Sequence, residues 1–248
     1  APFSRCWMHN GFVEVDKEKM SKSLGNFFTA RDLFERVEPE AIRYFMMTVH
    51  YRAPLNLDWT LDDAGNVTGF PQFEEAERRV AYLYKTKERL AGLPEKRIVD
   101  GDGPVPSELA EFPGALRAAL DDDLNMPVAL AKLADFLKTV NELCDQAMRK
   151  KGKAARAAVE AANRGFEALG AELGIGTETP GAVLLRIRDT RAQARGLDGA
   201  SIEARIEART DARRSKDFAE ADRIRDELAA QGVELLDGPE GTGWTIAD

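Results

Sequence analysis

From Ser107 to Gln231 the sequence is dominated by Ala, Leu, Glu, Arg and Lys, and its apolar residues return at helical spacing, as in Leu130, Leu133, Leu137, Val140 and Leu143. Spacings of three and four put such side chains on one helix face, so this stretch is restricted to amphipathic helices packed on one another. Asn125 ahead of Pro127 supplies a start signal, and Gly174-Ile175-Gly176 and Gly196 supply stops. Two last helices are predicted from Ala200 to Arg214 and from Phe218 to Gln231, broken at Ser215-Lys216-Asp217. Two short strands follow, Val233 to Leu236 and Trp244 to Ile246, flanking a turn region from Asp237 to Gly243. No repeat of fixed period is present.

The part before this helical region reads differently. Phe12-Val13-Glu14-Val15-Asp16 alternates apolar and polar residues and predicts a strand, followed by a loop rich in Lys and Ser. Thr29 with Asp32 resembles a helix-start pair, and Pro39 marks the start of a second helix. Asn56 to Phe73 reads as a loop feeding a helix that runs to about Leu90 and is ended by Pro94. Val99 to Pro106, rich in Gly, Pro and Asp, is the clearest linker and an expected domain boundary. The expected fold is mainly α, divided at 1–60, 61–105, 106–197 and 198–248, with a small α+β module last.

Composition narrows the function. The 248 residues are 44% hydrophobic, ordinary for a globular chain. No run approaches the roughly 18 apolar residues needed to span a bilayer, and the first residues lack signal-peptide order, so a cytoplasmic protein without a membrane is expected. Cys6 and Cys144 are far apart and are read as reduced thiols. A formal net charge of -8 argues against indiscriminate nucleic-acid binding, so any RNA contact has to be local.

Lys19-Met20-Ser21-Lys22-Ser23, continued by Leu24-Gly25-Asn26, is the strongest chemical signal. Two ammonium groups three residues apart on a hydroxyl-bearing loop are suited to closing over a polyphosphate and stabilising charge on a leaving pyrophosphate. The bland reading is a solvated Lys/Ser loop. The five-residue string is, however, the KMSKS signature of the class I aminoacyl-tRNA synthetases. Trp7-Met8-His9-Asn10-Gly11, His50-Tyr51-Arg52 with Leu55-Asn56, Leu120-Asp121-Asp122-Asp123-Leu124-Asn125 and Asp237-Gly238-Pro239-Glu240-Gly241-Thr242 resemble the cysteine–tRNA ligase family. The resemblance covers almost the whole chain.

What the resemblance implies is a C-terminal portion: a segment bearing the KMSKS loop, a DALR-like tRNA-binding bundle and a terminal module that recognises the anticodon. The family activates cysteine with ATP and Mg2+ and transfers it to tRNA(Cys). Lys19 and Lys22 would be catalytic, with Lys19, Met20, Ser21, Lys22 and Ser23 binding ATP. The family's HIGH motif and its zinc, held by Cys, His and Glu residues, belong to an N-terminal doubly wound domain that this sequence does not contain. The chain alone is therefore expected not to form cysteinyl-adenylate, and the complete enzyme is expected to be monomeric. Cys6 and His9 have a tempting spacing, but four ligands are needed for structural zinc; Cys6 is read as a small apolar filler, and no metal site is assigned.

Arg205, Arg209 and Arg213 recur every four residues and place three guanidinium groups along one helix face. Guanidinium, carboxylate and an aromatic ring are the equipment for reading unpaired bases. An exposed helix laced by ion pairs is the competing reading, since Glu203, Glu207 and Asp211 lie among the arginines. The resemblance assigns anticodon contacts to Arg213, Phe218, Asp222 and Asp237, with Phe218 where relatives often have tryptophan. Leu57 to Phe73 is longer and more polar than the family pattern. Two rivals stand beside the ligase reading: a non-catalytic tRNA-binding module, and a structural helical protein. Without its partner domain the first segment would leave Phe12, Phe27, Phe28, Phe34 and Phe45 as an apolar patch.

Overall fold

The computed structural model describes residues 3–21, 28–65, 67–101, 103–238 and 241–247. Packing divides the chain into two compact units, Ala1–Leu184 and Leu185–Asp248. Among the described residues no helix is long and apolar enough to cross a membrane.

The first unit begins with a three-stranded sheet of order β2-β1-β3, where β1 is Val13–Val15, β2 is Glu18–Lys19 and β3 is Leu55–Leu57. β1 and β2 form a hairpin whose two turn residues, Asp16 (φ 51°) and Lys17 (φ 66°), both occupy the left-handed region. That is the backbone a two-residue hairpin turn demands, although glycine is the usual second residue. The turn is held from outside: Lys17 N–H donates to Asn56 Oδ1 at 2.7 Å and Asp16 N–H to the Leu57 carbonyl at 3.2 Å. β1 runs parallel to β3, and the crossover between β2 and β3 carries α1 (Ala30–Phe34) and α2 (Pro39–Met46). Thr29 and Asp32 make the reciprocal capping box expected of them, and Pro39 opens α2.

The segment read as a loop from Asn56 to Phe73 is more ordered than that. Besides β3 it contains a second hairpin, β4 (Thr60–Leu61) with β5 (Val67–Gly69), before α3 (Pro71–Ala91). Strands of two and three residues are too short to show a period, which is why the polar composition suggested a loop. Further on, β6 (Ile98–Val99) pairs in parallel with β7 (Ala154–Ala155), so the Gly/Pro/Asp-rich stretch starts on a strand inside the first unit. Arg156, directly after β7, pairs with Glu95 and Asp100 from either side of β6.

The bundle consists of α4 (Ser107–Ala110), α5 (Phe112–Asp121), α6 (Met126–Met148) and α7 (Arg156–Leu173). Asn125 caps α6 by accepting from the Val128 N–H. Phe136 is fully buried between Phe112, stacked at 4.3 Å, and Phe166, edge-on at 5.2 Å. Gly165 permits this, because a Cβ there would lie 2.4 Å from the Phe136 ring. α7 ends on Gly174 in the left-handed conformation. Buried carboxylates join the bundle's end to α2 and α3. Glu40 accepts from Tyr84 Oη at 2.7 Å and from the Gly176 N–H at 3.0 Å, and Glu77 accepts from the Glu38 N–H at 3.0 Å. Burial, then the bond to Glu40, raises the Tyr84 phenol far above its ordinary range.

α8 (Pro180–Ala194) contains the boundary between the units. The second unit continues with α9 (Gly199–Arg214), α10 (Phe218–Ala230) and an antiparallel pair, β8 (Val233–Gly238) with β9 (Gly241–Ile246). Asp198 and Asp217 cap α9 and α10. Ile202, Ile206, Ile224, Leu228, Trp244 and Ile246 form its core. Arg188 lies over the Trp244 ring at 4.1 Å.

Of the aromatic residues expected to form an apolar patch, Phe12 and Phe34 are exposed, whereas Phe45 is buried against Phe73. Phe28 is partly covered and meets Trp59 and Phe70 edge-on. Phe27 lies outside the described residues.

Candidate functional site

Among the described residues, three groups of side chains carry the chemistry of interest. The first surrounds the lysine- and serine-rich run. Gly11 N–H donates to the Tyr51 carbonyl at 2.7 Å, and a Cβ on Gly11 would sit 2.1 Å from the Ala53 oxygen, so only glycine allows this approach. The strand that follows delivers Lys19 onto β2 opposite Glu14, with its Nζ 4.3 Å from the centre of the exposed Phe12 ring. Met20 N–H donates to the Val13 carbonyl at 3.1 Å. Lys19, Met20 and Ser21 thus leave the sheet in order, while Lys22 and Ser23 lie outside the described residues.

The second group was missed as a unit by sequence reasoning, although both of its parts were picked out separately. His50-Tyr51-Arg52 closes on Asp123 in the turn between α5 and α6. Tyr51 Oη donates to Asp123 Oδ1 at 2.7 Å, Arg52 donates to Oδ2 and Oδ1 at 2.9 and 3.0 Å, and His50 Nε2 lies 3.0 Å from the Asp123 carbonyl. The bonds from Arg52 and then Tyr51 hold the Asp123 carboxyl down to about 2. Asp123 (φ 53°) and Leu124 (φ 54°) both take the left-handed conformation, which costs roughly 1–2 kcal/mol per non-glycine residue. The clamp offsets that strain.

The third group is in the terminal module. Arg209 is only 6% exposed and donates through both terminal nitrogens to both Asp237 oxygens, at 3.0 and 3.1 Å. Thr242 Oγ1 donates to Asp237 Oδ1 at 2.6 Å, and Arg213 reaches Oδ2 at 3.5 Å. Arg209, then Thr242, push the Asp237 carboxyl far below the usual range. Arg205 pairs with Glu227 of α10. The arginine face read from the sequence as three alike guanidinium groups is therefore not alike: Arg209 is an interior residue neutralised from β8. Its partners were invisible to a helical-spacing argument because they come from other elements.

The structure brings Arg213 and Asp237 together. Asp222 pairs instead with Arg225 on its own helix at 3.3 Å, and Phe218 projects 62% exposed at the start of α10. Cys6 is exposed, which corrects its reading as an apolar filler, and Cys144 is buried; both thiols are free. Among the described residues no three His, Cys, Asp or Glu side chains gather as a metal-binding group. The described residues therefore offer no ligand set that fits the family's zinc.

Residues 1–64 match the family described as tRNA synthetases class I (C) catalytic domain, residues 115–177 the DALR domain, and residues 199–244 the cysteinyl-tRNA ligase anticodon binding domain. The cysteine–tRNA ligase of Anaeromyxobacter dehalogenans is 44% identical over 244 residues, which cover 98% of this chain and 47% of that protein. Those of Syntrophotalea carbinolica and Geobacter sulfurreducens are 41% and 39% identical, over 98% and 99% of this chain and 48% of their own lengths. The chain spans about half the length of the curated relatives it matches.

Proposed function

We propose that the chain belongs to the cysteine–tRNA ligase family and is the C-terminal portion of such an enzyme, supplying the KMSKS loop and the surface that reads tRNA(Cys). In the complete protein the reaction would be activation of cysteine with ATP and Mg2+, then transfer to the terminal ribose of tRNA(Cys). Lys19 and Lys22 stabilise the negative charge that accumulates as pyrophosphate leaves, and Met20, Ser21 and Ser23 complete the loop that lies over ATP. Their role depends on groups beyond this chain, since the HIGH motif and the cysteine site are not in it. The functional division we propose is 1–60, 61–105, 106–197 and 198–248.

The observation that carries the reading is in the terminal module. Within the stretch matched as an anticodon binding domain, an exposed aromatic ring at Phe218 stands on the same small unit as the carboxylate of Asp237 and the guanidinium of Arg213. Phe218 stacks on an unpaired base, and Arg213, Asp222 and Asp237 supply donors and acceptors for base edges. ATP–pyrophosphate exchange by the complete enzyme tests the loop assignment. Lys22→Ala is expected to lower kcat at least tenfold with little change in cysteine KM, by the loss of one charge contact to the transition state. An unchanged kcat in both Lys19→Ala and Lys22→Ala contradicts it.

A further inference from the structure

The contacts around Asp237 separate two arginines that the sequence presents as equivalent. A carboxylate offers about four lone-pair positions. Here Arg209 fills two from the interior, and the Thr242 hydroxyl fills a third at 2.6 Å. Arg209 Nη1 also lies 3.5 Å from Thr242 Oγ1, which directs that hydroxyl's proton to Asp237. The fourth position is met by Arg213 at 3.5 Å, the loosest of these contacts and the one made by an exposed side chain.

We propose that Arg209 is a positioning residue for base recognition: it touches no RNA, but fixes the plane of the Asp237 carboxylate so that Oδ2 accepts an N–H from the pairing edge of one unpaired base in place of Arg213. The inference rests on the anticodon-reading function proposed above. A carboxylate at a hairpin end otherwise samples several rotamers, and a base contact would have to order it; a buried bidentate partner does this in advance. The exchange also accounts for charge. Arg209 continues to neutralise Asp237, so Arg213, once displaced, keeps its full positive charge and its donors for a neighbouring base edge. That gives local attraction for RNA on a chain whose net charge is -8.

The test uses the 248-residue chain and short RNA hairpins, one with the loop triplet GCA, the anticodon that the resemblance to cysteine–tRNA ligases implies, and others with one base of the triplet changed. The intact chain is expected to prefer GCA by about tenfold or more. Arg209→Lys keeps the charge but loses the two-point grip, and is expected to bring the preference to within about twofold while leaving the salt dependence of binding unchanged. Thr242→Val removes only the hydroxyl link at a partly exposed position, so it tests the same idea if Arg209→Lys unfolds; an intermediate loss of preference is expected. Glu227→Gln, which loosens the Arg205 and Arg223 pairs, is expected to leave the preference intact. A lowered Tm with full preference retained in both Arg209→Lys and Thr242→Val makes Arg209 merely structural and overturns the proposal. A wild-type chain that binds all hairpins equally removes the anticodon reading itself, and this inference with it, before any variant is compared.

Discussion

Arg52 grips both oxygens of Asp123, at 2.9 and 3.0 Å, across 71 residues of sequence. Tyr51 adds a third bond to the same carboxylate. The pair ties the segment that carries the lysine loop to the turn between α5 and α6, and it holds two successive non-glycine residues in the left-handed region.

Asp123→Asn keeps a residue that tolerates this backbone but removes the charge, so it isolates the clamp. We expect a lower Tm than wild type at neutral pH. Because the folded carboxyl titrates at about 2, below its ordinary 3.8, the clamp's contribution is complete above about pH 4 and is lost as pH falls towards 2. The Tm difference between the two proteins should therefore close over that window. A difference that stays constant between pH 5 and pH 2 contradicts the assignment.

The hairpin turn before the lysine loop is another place where strain is stored. Lys17 is exposed, adopts φ 66° and uses only its backbone N–H to hold Asn56. Lys17→Gly removes the side-chain clash and keeps that bond, and it should stabilise the hairpin by about 1 kcal/mol. Hydrogen exchange at the Met20 amide, bonded to Val13, reads this directly: about fivefold slower exchange is expected, and faster exchange would show that the turn is unstrained.

Tyr84→Phe strips one donor from the buried Glu40 carboxylate while leaving the ring's packing in place. Leaving a buried acceptor short of a partner costs about 1–3 kcal/mol. Chemical denaturation of Tyr84→Phe should show a loss in this range. No loss would mean that the Gly176 N–H alone satisfies the carboxylate.

Features that depend on near neighbours were legible in the sequence. Thr29 with Asp32, Asn125 ahead of Pro127 and Gly174 after Leu173 act within one turn of the helix they start or stop, and the bundle's apolar spacing describes a face that must be buried. The last two strands were also visible, but each is longer than its apolar residues suggest: β8 runs on through Asp237 to Gly238 and β9 starts at Gly241, so most of the stretch read as a turn is paired strand. What stayed hidden depends on partners distant in sequence. Arg209 looks like its neighbours Arg205 and Arg213 until β8 brings Asp237 to it, 28 residues on. His50-Tyr51-Arg52 and Asp121-Asp122-Asp123 were each noticed as runs, but neither states that it touches the other. β4 and β5 are too short for their alternation to be read against a polar background.

Binding of the purified chain to RNA hairpins bearing the GCA triplet, and to the same hairpins with one triplet base changed, tests the central claim most directly when run at two salt concentrations. If the terminal module reads the anticodon, a single change weakens binding by about 1–3 kcal/mol at both salts. If every hairpin binds alike and only salt alters the affinity, the exposed arginines make general phosphate contacts, and the roles proposed for Arg213, Phe218, Asp222 and Asp237 are wrong.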